Sequence, residues 1–154
     1  MNTNELRTAL FENDVTSNYF LDVYAADQLP LTKIAIPQWL LIYNCCPIAL
    51  PGMHWVAIFG KENGDVEFFD SFGLAPNMYS GVPEFLSRQR AKQVFYNSLQ
   101  LQSTKSDACG HYCLFYGYFR CKGMDMEAIL RCILEFDRDT WIKFKVLGQL
   151  YNRK

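Results

Sequence analysis

The chain has 154 residues, half of them apolar and 16% aromatic, with a net charge of −1. A domain of that length buries about 68–70% of its unfolded surface, so it needs neither disulfides nor a metal to fold, and so apolar a composition excludes disorder. The balanced charge gives no basic excess of the kind that nucleic-acid binding uses.

The opening MNTNELRTALFEND has no basic region followed by an apolar block, so it is not a secretory signal, and an intracellular setting is the default expectation. Residues 3–11 read as a short helix with Leu6, Ala9 and Leu10 on one face. Strands are expected at 19–24 and 38–44. The apolar run WLLIYNCCPIAL is short and broken by Asn44 and Pro47, which excludes a membrane span. LPG (50–52) interrupts the chain, MHWVAIFG makes a third strand, KENGD a turn and DVEFFDSF a fourth strand. Residues 76–83 read as loop, 82–90 as a short helix and 93–97 as a strand. From Cys109 the run CGHYCLFYGYFRC is apolar around most of its circumference and reads as a buried central helix ended by Gly123. Residues 124–134 and 139–151 read as two further helices. One helix, then strands, then helices, with no linker or repeat, predicts a single α+β domain over 1–154, a mixed or antiparallel sheet packed on a central helix.

Six cysteines raise the question of disulfides or zinc. Cys109, Cys113, Cys121 and Cys132 fall in helical segments, and Cys45 and Cys46 are adjacent, so reduced thiols are expected. A zinc-binding interaction module built on the same four is the main non-enzyme reading. It lacks any C-x2-C pair, and its cysteines sit in apolar helices rather than knuckles.

Cys109 starts a helix, where unpaired backbone N–H groups and the helix dipole favour a thiolate. Gly110 beside it would let a substrate approach the backbone closely. A thiol nucleophile needs a base, and the chain has two histidines, His54 and His111. His111 is two residues along the same helix, a spacing that does not bring side chains together. His54 stands at a strand start, where a side chain can face a cleft. Asp70 shares the apolar face of its strand with Val66, Phe68 and Phe72, and an aspartate there calls for a partner. Two hairpins are open. A two-residue Asn63-Gly64 loop would point His54 and Asp70 to opposite faces. A three-residue Glu62-Asn63-Gly64 loop with Gly64 left-handed would pair 54 with 72 and 56 with 70, and set them on one face. Gln102, seven residues before Cys109, is the candidate oxyanion donor beside the Cys109 N–H, with Gln100 as its competitor on the same strand face.

GMHWVAIF, FFDSFG and LQSTKSDACG, in that order, resemble the adenain-like cysteine proteases, the maturation protease family of adenoviruses with similar enzymes in virophages and Maverick/Polinton virus-like transposons. The resemblance runs from about Ser17 to Arg120. It implies a papain-related fold, His54 as base, Asp70 as its orienter, Gln102 as oxyanion donor and Cys109 as nucleophile. Trp55 would lie beside the base, facing substrate together with Gly110. It implies a monomeric, cofactor-free endopeptidase acting on viral structural precursors at Gly-containing small-residue sites, in the host nucleus or a cytoplasmic virus factory and in the virion. The chain departs from adenovirus members in its short tail after Cys109, in having Asp rather than Glu as orienter, and in lacking a cysteine from 48 to 108. A disulfide-tethered activating peptide thus has no obvious partner there, and the chain is not basic enough to suggest DNA-assisted activation. SUMO-deconjugating proteases share the fold and site order, so an isopeptidase is the alternative enzyme. A catalytically idle capsid-assembly module is the remaining one.

Overall fold

The computed structural model describes residues 1–45 and 54–152. Cys46 and the predicted LPG break lie outside the described residues, as does the start of the third predicted strand.

Helix α1 (Thr3–Glu12) opens on a capping box, with Asn2 accepting from the Glu5 N–H and Glu5 accepting from the Asn2 N–H. It buries Leu6 and Leu10. Strands β1 (Phe20–Ala25), β2 (Trp39–Asn44), β3 (Trp55–Gly60), β4 (Val66–Phe69) and β5 (Val94–Tyr96) form one sheet in sequence order. The outer pairs β1/β2 and β4/β5 are parallel and the inner pairs antiparallel, so the sheet is mixed. Parallel neighbours need a crossover of a dozen or more residues. The one between β4 and β5 carries a 3-10 turn (Pro76–Met78) and helix α2 (Val82–Arg88). Helix α3 (Cys109–Cys121) follows, then α4 (Met126–Leu134) and α5 (Arg138–Lys145).

Strands β2 and β3 are buried along their whole length, so both sheet faces are covered. Period-2 alternation sorts their side chains into two cores. Leu40, Ile42, Trp55, Ala57 and Phe59 pack against Tyr112, Phe115 and Tyr116 of α3. Leu41, Tyr43, Val56, Ile58 and Phe68 pack with Tyr79, Val82 and Phe85 on the other face. Gly117 lets α3 close on the sheet, since a Cβ there would stand 3.0 Å from Leu40.

Some expected boundaries move. The last helix ends at Lys145 and passes into a π turn, Val146–Leu150, that contains Gly148, a weak helix former. β4 stops at Phe69, one residue short of Asp70, and β5 stops at Tyr96. Gln100 and Gln102 therefore lie in a loop rather than on a strand face. The segment read as loop from 76 begins with the 3-10 turn, with Pro76 at its first position.

One buried ion pair joins α3 to the sheet. Glu67 of β4 accepts from the Tyr116 hydroxyl at 2.6 Å and from Arg120 Nε at 3.0 Å, and the Arg120 guanidinium lies 4.7 Å above the Phe59 ring. Removing one partner of such a pair strands a buried charge, which costs about 3–5 kcal/mol. Arg120→Met should lower the urea-unfolding free energy by about that much. The double variant Glu67→Gln/Arg120→Met keeps the Tyr116 bond and should recover most of the loss.

Candidate active site

The β3–β4 hairpin sets the first two site residues. Gly60 pairs with Val66 and Ala57 with Phe69. The Lys61 N–H bonds the Asp65 carbonyl at 2.8 Å, leaving the three-residue loop Glu62-Asn63-Gly64 with Gly64 at φ 93°. This is the odd-length alternative, and its register carries 54 opposite 72 and 56 opposite 70. His54 and Asp70 share the face that looks toward Tyr79, and His54 Nε2–H donates to Asp70 Oδ1 at 2.7 Å.

Asp70 is fully buried, so its carboxylate must be met by donors. Oδ1 also accepts from the Phe72 N–H at 2.9 Å. Oδ2 accepts from the Tyr79 hydroxyl at 2.5 Å and the Leu74 N–H at 3.2 Å. Asn97, just past β5, continues the ladder by bonding the Asp70 N–H and carbonyl at 2.9 and 2.5 Å. Burial opposes the ionised form, but the bonds from His54, Tyr79 and Phe72 outweigh it and hold the carboxyl below its ordinary value. The Phe72 ring stacks on the imidazole, with centroids 4.6 Å apart.

Residues 70–73 then turn, closed by the Gly73 N–H to the Asp70 carbonyl at 2.8 Å. Gly73 sits at φ 72°, and a Cβ there would meet the Leu99 carbonyl carbon at 2.7 Å. The turn grips the segment before α3, because the Ser71 carbonyl accepts from the Leu101 and Gln102 N–H groups at 2.8 and 2.9 Å. Ser71 Oγ–H donates to Gln102 Oε1 at 2.6 Å, while Gln102 Nε2 donates to the Ser106 carbonyl at 2.7 Å. These two bonds fix which end of the amide is the donor, and they leave Nε2 its second N–H. Gln102 is 1% exposed and Gln100 is exposed, which separates the two candidates. A groove of about 500 Å³ runs beside Gln102, between Gln100–Ser103 and Phe136–Asp139.

Cys109 begins α3 at the end of the sheet where β3 begins. The residue before it, Ala108, offers no side-chain cap. Ala in place of Ser, Thr, Asp or Asn forgoes about 1 kcal/mol and leaves the first-turn N–H groups to other acceptors. Burial raises the Cys109 thiol, but the neighbouring His54 imidazole and the Trp55 and Gly110 N–H groups outweigh it, and the thiol lies below its ordinary value. His54 moves the other way. Burial disfavours its charge, yet the bond to Asp70 and the neighbouring Cys109 thiol raise it to about 9. With Nε2 engaged by Asp70, Nδ1 is the nitrogen left for the thiol. It is buried and has no hydrogen-bond partner at rest, yet it lies close enough to the thiol to favour its ionised form.

Cys109, His54 and Asp70 thus come together, and Gln102 is tied to Ser71, the neighbour of Asp70, and to Ser106, three residues before Cys109. Trp55 and Gly110 do not open toward a substrate. Trp55 follows His54 on a strand, so its ring turns to the opposite face, where it is 6% exposed in the α3 core. Gly110 is also buried, and a Cβ on it would meet the Met1 sulfur at 3.1 Å and Leu6 at 3.5 Å, so its missing side chain makes room for α1. Both contribute through the backbone N–H. His111 is buried, a packing residue, and burial, with Lys143 nearby, pushes its pKa down to about 4. Among the described residues no three His, Cys, Asp or Glu side chains cluster closely enough to hold a metal ion. No helix of the described residues is long and apolar enough to cross a membrane. Sequence reasoning missed Ser71, Tyr79 and Asn97. The signals were an aspartate whose second oxygen lacked an assigned donor and polar residues flanking strand ends.

No family model matches the chain, and no curated protein matches it by sequence. Solved structures do. The ASFV pS273R protease superposes with a TM-score of 0.53 at 23% identity over 77% of this chain, which spans 45% of that one. The central domain of the uncharacterized Lpg1148 protein from Legionella pneumophila superposes with a TM-score of 0.52 at 11% identity, covering 97% of this chain and 86% of that one. This chain therefore shares its mixed α+β fold with a protease.

Proposed function

We propose that the chain is a cysteine endopeptidase of the adenain-like kind that cleaves viral or virus-like structural precursors at Gly-containing small-residue sites. The observation that carries the reading is the thiol of Cys109 at an uncapped helix start, facing a His54 whose far nitrogen is held by a buried Asp70. The fold shared with a protease supports it.

The Cys109 thiolate attacks the scissile carbonyl carbon, forming the C–S bond. The developing oxyanion receives the second Gln102 Nε2–H and the Cys109 N–H. His54 Nδ1 gives its proton to the leaving amine as the C–N bond breaks. Water then attacks the thioester, His54 takes its proton, and the C–S bond breaks to release the carboxylic acid product and restore the Cys109 thiolate beside the His54 imidazolium. Asp70 keeps the imidazole oriented and stabilises its positive form.

Cys109→Ala should abolish cleavage of Gly-Gly-containing peptides while leaving the fold and peptide binding intact, read by mass spectrometry of products and by circular dichroism. A folded Cys109→Ala protein that still cleaves overturns the reading. Cleavage of a folded modifier in preference to short peptides would move it to the isopeptidase class.

A further inference from the structure

We propose that Tyr79 is a positioning residue of this site, its hydroxyl holding Asp70 Oδ2 so that Oδ1 stays on His54 Nε2. The inference rests on the cysteine-peptidase reading above.

A carboxylate pivots about its Cβ–Cγ bond, so one hydrogen bond does not fix it. Asp70 has two donors on each oxygen. On Oδ2 these are unequal, the Tyr79 hydroxyl at 2.5 Å and the Leu74 N–H at 3.2 Å. Deleting the hydroxyl leaves only the longer bond, from an exposed loop residue. A charge-assisted bond between a phenol and a buried carboxylate is among the stronger ones.

Tyr79 is itself held in place. The 3-10 turn Pro76–Met78 delivers it to the sheet face, with its N–H on the Pro76 carbonyl at 3.1 Å. The Tyr43 hydroxyl bonds the carbonyl of Ser80, the next residue, at 2.7 Å. Rings of Phe68 and Tyr43 lie 5.6 and 5.9 Å from its centroid. Its plane lies within 23° of the imidazole plane at 6.2 Å. The phenol is thus fixed by elements that do not otherwise touch the chemistry. A buried tyrosine that merely satisfied its hydroxyl would leave Asp70 indifferent to it, and the two cases differ in what the pH dependence does.

The titratable groups facing Asp70 are His54 at the start of β3, Tyr79, and Cys113 on α3, with Cys109 reached through His54. Those facing Tyr79 are Asp70 and, from β2, Tyr43, with Cys45 just beyond it. Cys113 is pushed well up by burial and stays neutral. Loss of the Tyr79 donor raises the pKa of Asp70, so its protonation, which removes the charge supporting the imidazolium, comes at higher pH.

The test is the rate of Cys109 alkylation by iodoacetamide against pH in wild type, Tyr79→Phe, Asp70→Asn and the double variant. Peptide turnover and thermal melting are measured alongside. Tyr79→Phe should move the acid limb to higher pH and lower kcat about tenfold with KM unchanged. In the Asp70→Asn background it should move nothing further. A folded Tyr79→Phe with the wild-type profile overturns the inference while leaving the peptidase reading in place. A wild-type Cys109 no more reactive than Cys113 overturns both. Should Tyr79→Phe not fold, proton NMR of the wild type decides. A slowly exchanging Tyr79 hydroxyl that disappears as Asp70 protonates supports the role, and its absence overturns it.

Discussion

At about pH 6, Cys109 should be alkylated by iodoacetamide far faster than Cys113 or Cys132, and His54→Ala should abolish the difference. An ordinary thiol with pKa about 8.5 is only about 0.3% ionised at that pH. Lowering the pKa of the thiol raises that fraction, by at most about two to three orders of magnitude at full ionisation. A lower pKa also weakens the nucleophile, with a Brønsted slope of about 0.4–0.5, which takes back about one order. About tenfold or more should survive. Cys113 is the stringent control, since it sits one turn along the same helix with its thiol pushed well up by burial. In His54→Ala the remaining influences on Cys109 are burial, which raises the thiol, and two backbone N–H groups, which lower it. The acid-side advantage goes, and reaction should begin only in alkaline solution.

Turnover adds a second limb. On the proposed mechanism His54 carries a proton for the leaving amine, and its folded pKa is raised to about 9. The imidazolium is therefore held up to that region and lost above it. Alkylation, which needs only the thiolate, should reach its plateau as the pH rises through the lowered Cys109 value and persist where turnover declines. Because the thiol and the imidazole titrate together, both limbs belong to the pair. Equal alkylation rates for Cys109 and Cys132 at about pH 6 would remove the ion pair and the mechanism built on it.

The sheet and central helix were legible because each rests on a local pattern. The short continuous apolar runs of β2 and β3 and the all-round apolar surface of α3 are set by neighbours in sequence. The hairpin register was legible only as a pair of alternatives. Asn63-Gly64 suits a two-residue loop as well as the end of a three-residue one. Pairing of Lys61 with Asp65 decides between them, and that depends on how the two strands sit in the whole sheet. The Gln100–Gln102 ambiguity had the same origin. Nothing local buries one and exposes the other. Ser71, far upstream, does so by gripping the Gln102 backbone and amide oxygen. The orientation of Trp55 was available from the sequence, because the neighbour of an inward His54 on a strand must face the other side. Tyr79 was hidden because its role depends on a crossover whose path no short motif states.

The second large effect is expected at Gln102. Gln102→Ala should lower kcat about 10²–10³-fold while leaving Cys109 alkylation at its wild-type rate. The separation follows from what each measurement asks of the site. Alkylation forms no oxyanion, so it needs only the Cys109–His54–Asp70 arrangement, whereas the Gln102 side chain bonds Ser71 and Ser106. Peptide cleavage develops a full negative charge on the carbonyl oxygen, and on the proposed mechanism it is met by the remaining Nε2–H of an amide held by Ser71 and Ser106. The same two bonds make the variant less stable. Ser71 Oγ–H loses its acceptor and the Ser106 carbonyl its donor, which costs about 1–3 kcal/mol per buried group, so both rates should be compared well below the melting transition. Gln102→Glu keeps the volume and offers Ser71 its acceptor but turns the remaining donor into a negative charge, so its turnover should fall at least as far as that of the alanine variant. Gln100→Ala removes an exposed side chain and should stay within about threefold of wild type. If Gln100→Ala instead carries the larger loss in kcat, the donor has been assigned to the wrong glutamine and the Ser71 contact is structural alone.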